Sequence, residues 1–429
     1  MPLHPISEGN SLKTIVKNAG WLGLIQILNY LIPFLTLPVV TRAFGPTVYG
    51  ILATFNAYAA YVSVIVQYGF DFTGVRAIAH SKTDIFRLSE TVSTIFGAQI
   101  LLGAIALAGF FVALPVIVPH GADYKFVGLS VLIQVFATAA TPQWVFVGLE
   151  KMRSLALAQF VFRTIAAALI IFSIRAPGDL LIYVNINCIA AVAILIISLI
   201  VLGRYHIRWQ IPKLADLFSA IRQGAYFFVS KASISLYTTT TTLLVAIVLG
   251  PTAAGHFALA DRIRTVAASI IGPLNMAIYP LLFRVSGRPE TDEEARTQRV
   301  FFLGILALSA LISIGLFAFA PLIIWLVAGD AFHDAILLLR IIAFLPFIIT
   351  LSTKFGYQTM IPLHMDREFM WIVISAAVFG IAGLFILMKT LGQTGAALAL
   401  LAVEIYVTVV FAIALQKQVS ILSFFFGKS

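Results

Sequence analysis

AFGPTVYG (residues 43–50) lies between two long apolar runs, and VLGPTAAG (residues 248–255) lies between two more, 205 residues further on. Each reads as a helix stop followed by a helix start, with Gly ending one helix and Pro opening the next. One such turn is ordinary. A second copy after six further spans, with a similar preamble (Gly20 lies 25 residues before Gly45, and Gly224 lies 26 before Gly250), is not explained by turn chemistry alone. The pair suggests one unit written twice.

The runs on either side of the turns are too apolar for a soluble core. Hydrophobic residues make up 61% of the 429 and charged residues 11%, with a mean hydropathy of +1.02. A soluble domain spends about a quarter of its residues on charge, so the solvent here is lipid. Crossing roughly 30 Å of hydrocarbon takes about 20 apolar residues. Twelve runs qualify: 15–40, 47–70, 91–118, 126–149, 154–174, 180–203, 224–249, 254–283, 300–327, 335–360, 369–388 and 395–415. The expected fold class is an all-α polytopic membrane protein. The first run is too long for a secretory signal, contains Pro33 and Pro38, and lacks a small-residue cleavage site, so it reads as an uncleaved span.

Orientation follows from the basic residues. Eighteen Lys and Arg fall in one alternating set of loops and four, Arg42, Lys125, Arg175 and Lys389, in the other. The rich set includes both ends of the chain, so both termini are expected in the cytoplasm. The longest loops, 71–90, 204–223 and 284–299, are about 20 residues and hold no soluble catalytic domain. An even number of spans per half gives two halves of the same orientation, as in transporters built from parallel repeats with the substrate site between them. The expected organisation is a six-helix lobe over 1–203, a basic cytoplasmic linker over 204–223, and a second six-helix lobe over 224–429. Gly45 and Gly250 are then expected at equivalent positions on the periplasmic side.

The net charge of +10 is strung between apolar runs rather than gathered in a patch, which argues against nucleic acid. Cys188 is the one cysteine, so no internal disulfide forms. The seven His show no metal-like spacing, and no Gly-rich phosphate loop with Lys is present. No metal, no cofactor and no ATP drive are expected.

Six Lys or Arg fall inside the spans: Arg163, Lys231, Arg262, Arg264, Arg340 and Lys354. A charge at mid-bilayer costs from about 3 to more than 10 kcal/mol, so each must face water, find a partner or snorkel. Arg340 lies near a helix start and can snorkel. Asp261 and Arg264, three residues apart, can pair on one helix face; Arg262 points about 100° away and cannot share that pair. The run Thr238–Thr242 can bond back to its own helix or line a polar path for sugar hydroxyls. Intramembrane acids are Asp71, Asp261 and Glu404. Cations outnumber anions, which suits an anionic cargo, while buried acids can take up protons and couple transport to a gradient.

NYLIPFLTLPVVTRAFGPTVYG (29–50), YGFDFTGVRAIA (68–79), TPQWVFVGLEKMR (141–153) and LLRIIAFLPFIITLSTKFGYQTMIPL (338–363) resemble Wzx-type O-antigen and exopolysaccharide flippases. These form the polysaccharide transporter branch of the multidrug/oligosaccharidyl-lipid/polysaccharide exporter superfamily. The resemblance runs over almost the whole chain, most specifically in residues 38–46 and in Trp144…Gly148-Leu-Glu150-Lys-Met152. It implies twelve helices in two six-helix lobes around a cationic cavity. It also implies movement of undecaprenyl-pyrophosphate-linked oligosaccharides from the cytoplasmic to the periplasmic leaflet of the bacterial inner membrane. Further partners would be membrane lipids, a polysaccharide polymerase and a chain-length regulator. Asp261-Arg262 matches the family's acidic-then-basic pair in helix 8, and family positions also fall on Arg42, Arg76 and Gln358. Val147 stands where relatives often have Gln, so sugar specificity does not carry over.

The expected cargo-binding residues are Lys231, Arg262, Arg264, Arg42, Arg163 and Lys354, and the expected ion-coupling residues are Asp71, Asp261 and Glu404. The alternatives are a multidrug or cation exporter, or a peptidoglycan-precursor flippase, of the same superfamily. An exporter of cations calls for an acid-dominated cavity, whereas bases dominate here. A membrane polymerase or glycosyltransferase calls for a large loop with paired acids. Asp292-Glu293-Glu294, beside Arg296 and Arg299 in a short loop, reads instead as a solvated face, so the protein is not expected to be an enzyme.

Overall fold

The computed structural model describes residues 8–81, 84–117, 124–272, 292–363 and 365–416, and every element among them is helical. In chain order these are α1 (Glu8–Gln67), α2 (Phe70–Ser81), α3 (Ile85–Ile117), α4 (Lys125–Ala140), α5 (Gln143–Gly148), α6 (Met152–Ser173) and α7 (Leu180–Arg204). There follow α8 (Leu214–Leu249), α9 (Pro251–Ala268), α10 (Asp292–Ala318), α11 (Ala320–Ala328), α12 (Ala335–Ile342), α13 (Leu345–Phe355) and α14 (Asp366–Gln416). Nine helical stretches among the described residues are long and apolar enough to cross a membrane. Two of them, of 49 and 51 residues, far exceed one crossing and bend at Gly45 and Gly392. The protein is therefore an all-α, multi-pass membrane protein, and twelve spans are consistent with it. The end of the span expected over 254–283, with Pro273 and Pro280, lies outside the described residues.

The elements depart from expectation where charge hid an apolar face. The loop expected over 71–90 contains α2, because Phe70, Gly74 and Ile78 recur every four residues and turn one face inward. α3 starts at Ile85 because Asp84 Oδ1 accepts from the amides of Phe86 and Arg87 at 3.0 and 3.2 Å and caps it. The span expected over 126–149 breaks at Thr141-Pro142 into α4 and α5, since Pro cannot continue the helical ladder.

The chain divides into two compact units, Met1–Thr36 with Tyr58–Lys231, and Leu37–Ala57 with Ala232–Ser429. The core of the first unit is the TPQWVFVGLEKM block. Trp144, Val145 and Phe146 are 2% exposed or less and pack with Phe70, Ile78 and Leu155. The helices interlock through glycines: a Cβ at Gly74 would strike the Trp144 ring, and one at Gly148 would strike Ile78. Residues 207–210 are tied along α3, where the amides of Arg208 and Gln210 donate to the hydroxyls of Ser89 and Ser93 at 3.0 and 2.9 Å.

In the second unit the two GPT turns meet each other. Gly45 and Gly250 take nearly the same backbone, φ/ψ 64/178 and 90/170, in a region that only Gly adopts freely. Pro46 and Pro251 then start their helices. The Thr47 and Thr252 hydroxyls lie 2.9 Å apart. A Cβ at Gly50 would sit on the Pro251 carbonyl, and one at Gly255 would sit on the Pro46 carbonyl. The contact is unchanged by exchanging the copies, as across a two-fold axis. Nearby, Thr41 Oγ1 donates to the Val327 carbonyl at 3.0 Å, and Tyr49 stacks edge-on against the buried Phe332. These contacts attach Leu37–Ala57 to the second unit.

Candidate functional site

The charges singled out in the sequence fall into several environments. In the first unit, Lys231 Nζ donates to Asp71 Oδ2 at 2.5 Å, and the ammonium also lies 5.8 Å from the centroid of the Phe72 ring. An expected cargo cation and an expected coupling acid thus neutralise one another, with side chains 30% and 44% exposed. In the second unit, Arg264 holds Asp261 Oδ1 through Nε at 2.9 Å and Nη2 at 2.7 Å, one turn along α9. Arg262 lies outside that pair and is half-buried. The Arg42 guanidinium donates to the Leu326 carbonyl at 2.7 Å and caps the C-terminal end of α11. Arg340 sits 5.9 Å from the Phe317 ring centroid.

Lys354 and Glu404 are both buried, on α13 and α14. The Lys354 ammonium lies 5.4 Å from the Phe302 ring centroid. Immediately after Lys354 the helix widens into a π-type turn, Gly356–Met360, which carries Gln358. Thr359 Oγ1 closes that turn by donating to the Lys354 carbonyl at 2.7 Å. Widened turns of this kind recur at functional sites. Of the threonine run in α8, Thr239 shares a hydrogen bond with Ser235 at 3.2 Å, and the side chain of Thr238 lies outside the described residues.

Arg163 has the most developed setting. It lines an open cleft inside the first unit. The walls are α1, α4, α6 and α7 with the start of α5; their polar residues include Gln134, Thr138, Gln159, Arg163, Tyr183 and Asn187, with Thr36, Thr141 and Gln143 beside them. Among the described lining residues none is Asp or Glu. Gln159 is 5% exposed, and its Oε1 has no hydrogen-bond partner. The Thr138 hydroxyl donates to the Gln134 carbonyl at 2.8 Å, and the Asn187 amide to the Tyr183 carbonyl at 2.9 Å. That leaves the Thr138 hydroxyl oxygen as an acceptor, and Asn187 with its side-chain carbonyl and one N–H.

Sequence reasoning found Arg163, with Gln159 near it in the chain, and passed over Gln134, Thr138, Tyr183 and Asn187. The signal is present: Gln134 and Thr138, Gln159 and Arg163, and Tyr183 and Asn187 are each four residues apart on apolar helices. That spacing stacks each pair on one helix face. Three polar stripes on three spans are what a shared cleft requires.

The bent spans and the helical bundle make this a multi-pass membrane protein, and its fold is like that of the MATE transporters. An inward-facing multidrug resistance MATE family transporter of the MOP superfamily matches with a TM-score of 0.69 at 14% identity, covering 92% of this chain and 96% of that one. A Vibrio cholerae MATE transporter matches with a TM-score of 0.61 at 15% identity, covering 95% and 99%. The chain belongs to the polysaccharide biosynthesis protein family, whose model matches residues 15–286, in agreement with the resemblance carried by residues 29–50 and 141–153. An Escherichia coli K12 protein named "Putative O-antigen transporter" is 29% identical over 399 residues, covering 91% of this chain and 94% of that one. One of the same name from Shigella dysenteriae is 25% identical over 392 residues, covering 91% and 97%.

Proposed function

We propose that this protein is a flippase that moves undecaprenyl-pyrophosphate-linked oligosaccharide units from the cytoplasmic to the periplasmic leaflet of a bacterial inner membrane. The reading is supported by full-length similarity to two relatives named as O-antigen transporters. The single observation that carries it beyond the family is the intramembrane cleft in which Arg163 is the one charged residue among the described lining residues. A cation exporter calls for carboxylates in such a place, and the described lining residues include none.

The polyprenyl tail stays in lipid while the head group enters the protein, and alternating access returns it to the opposite leaflet. Arg262, with Lys231 and Arg264, provides charge and multiple donors for the pyrophosphate. Arg42, Arg163 and Lys354 complete the cationic set. Asp71, Asp261 and Glu404 are the coupling acids, carrying protons or sodium. The two halves, 1–203 and 224–429, are joined by the basic segment 204–223, with both termini in the cytoplasm. No chemical step on the cargo is required, so the protein works as a transporter and not as an enzyme.

A deletion strain tests this directly. Lipid-linked repeat units are expected to accumulate on the cytoplasmic leaflet while surface polysaccharide falls. Unchanged surface polysaccharide in that strain would sink the proposal. Arg262→Ala is expected to abolish complementation by a pyrophosphate-lipid flippase, and full rescue by that variant would instead favour a drug exporter.

A further inference from the structure

His256 lies on α9, five residues after Pro251, and its side chain is 7% exposed. Both ring nitrogens are buried, and neither has a hydrogen-bond partner of normal geometry. A histidine kept only for packing is ordinarily tied at one nitrogen, because an unmatched buried donor or acceptor is costly. A partner stands close by. Asp334 Oδ2 lies 3.5 Å from Nδ1, beyond the roughly 2.7–3.2 Å usual for an N–H···O bond and within ion-pair range. Two lone pairs facing each other leave such a gap, and a proton between them closes it. The Asp334 side chain is 63% exposed, and the residue directly precedes α12.

The setting is the loop between α11 and α12. Phe332, fully buried, has its ring centroid 5.7 Å from that of His256 and 6.0 Å from that of Tyr49 on α1. The loop therefore packs against both helices that the GPT turns start. From it the Asp334 carboxylate, the Ala331 carbonyl and His333 face the imidazole. A metal ion calls for further ligands, and no group of three His, Cys, Asp or Glu among the described residues could hold one. A proton asks only for the lone pair and the carboxylate.

We propose that His256 and Asp334 form a proton-binding site, which closes as an imidazolium–carboxylate pair and draws the α11–α12 loop onto α9. A proton reaches the buried ring without an opening for any larger ligand. It passes from water to the exposed Asp334 carboxylate, and from Oδ2 to the Nδ1 lone pair of the Nε2–H tautomer. Asp334 is left ionised, the ring carries N–H on both nitrogens, and one proton has been taken up. In the proposed topology this loop faces the periplasm. Arg262 lies six residues further along the same helix, about 9 Å, so a change in how α9 is held at His256 is felt at a residue assigned to the pyrophosphate. That use in coupling rests on the flippase reading and adds to the three acids named there; the protonation itself stands on the geometry.

The test uses the full-length protein in lipid nanodiscs, labelled with nitrogen-15 histidine in a His333→Gln background. Imidazole nitrogen shifts are followed by NMR from about pH 4.5 to 9, either side of the usual histidine range. One resonance set, lost in His256→Gln, is expected to change from the neutral to the doubly protonated pattern within that range. Asp334→Asn is expected to lower its midpoint by about half a pH unit or more, roughly threefold in proton affinity. Should His256→Gln fail to fold, Asp334→Asn identifies the resonance, since His256 is then the histidine beside that carboxylate. A His256 ring that stays neutral throughout, or a midpoint unmoved by Asp334→Asn, would overturn the proposal and leave a packing histidine. Surface polysaccharide output is expected to vary with medium pH for the wild type and not for His256→Gln; the same response from both would overturn the coupling role. Titration of His256 alongside normal surface polysaccharide in a deletion strain sinks the flippase reading and spares the site; a ring that does not titrate, alongside accumulated lipid-linked units, does the reverse.

Discussion

At Gly50 a Cβ would sit on the carbonyl oxygen of Pro251, and at Gly255 one would sit on that of Pro46, so neither backbone can move away without pulling its partner turn along. Gly50→Ala and Gly255→Ala are each expected to destabilise by about 1–3 kcal/mol, the usual range for overpacking. Gly304→Ala, a helical position with open space around it, is the control and is expected to be neutral or up to about 1 kcal/mol stabilising. Equal melting temperatures in detergent for all three would contradict the packed contact. Lys231 and Asp71 call for a different experiment, because each is partly exposed and their pairing is worth no more than about 1 kcal/mol. Asp71→Asn combined with Lys231→Met is expected to transport better than Lys231→Met alone, since the lone carboxylate is what the single variant leaves behind. If the double variant is no better, Lys231 acts on the cargo and not through its acid.

Among the elements, α1 and α9 show how much the sequence displays and where it stops. The turn chemistry of Gly45-Pro46 and Gly250-Pro251 was legible because a positive-φ glycine followed by proline leaves one local solution. That the two turns touch was not, because the Thr47–Thr252 hydrogen bond spans 205 residues and nothing local encodes it. In a Cys188→Ser background, Thr47→Cys with Thr252→Cys is expected to cross-link readily under mild oxidant, whereas Thr47→Cys with Thr265→Cys, further along α9, is not. Failure of the first pair to form would refute the contact. α2 was misread for a related reason: Asp71 and Arg76 made it look like loop, while Phe70, Gly74 and Ile78 supplied a buried face that only α5 reveals. The cleft was half legible. Arg163 stands out in any apolar span, but Gln134, Gln159 and Asn187 are individually unremarkable amides. Their significance lies in α4, α6 and α7 converging, which is a tertiary fact.

For the whole molecule, long apolar runs decided the fold class, since lipid leaves a backbone no option but internal hydrogen bonding. The lopsided distribution of Lys and Arg in turn predicts topology. A single cysteine placed at Ala176 is expected to react with a membrane-impermeant thiol reagent from the periplasm, and one at Ala220 only after the cells are opened. Reaction in the opposite sense would invert the orientation and with it the direction of transport. A last consequence follows from how Leu37–Ala57 is anchored. Arg42 waits for the carbonyl of Leu326, 284 residues later in the chain, and Thr47 waits for Thr252. At about 5–20 residues per second, the first hairpin stands in the bilayer for roughly 15 to 60 seconds before α11 exists to receive it. During biosynthesis its small-residue face, Thr41, Gly45, Thr47 and Gly50, is open to any neighbouring helix.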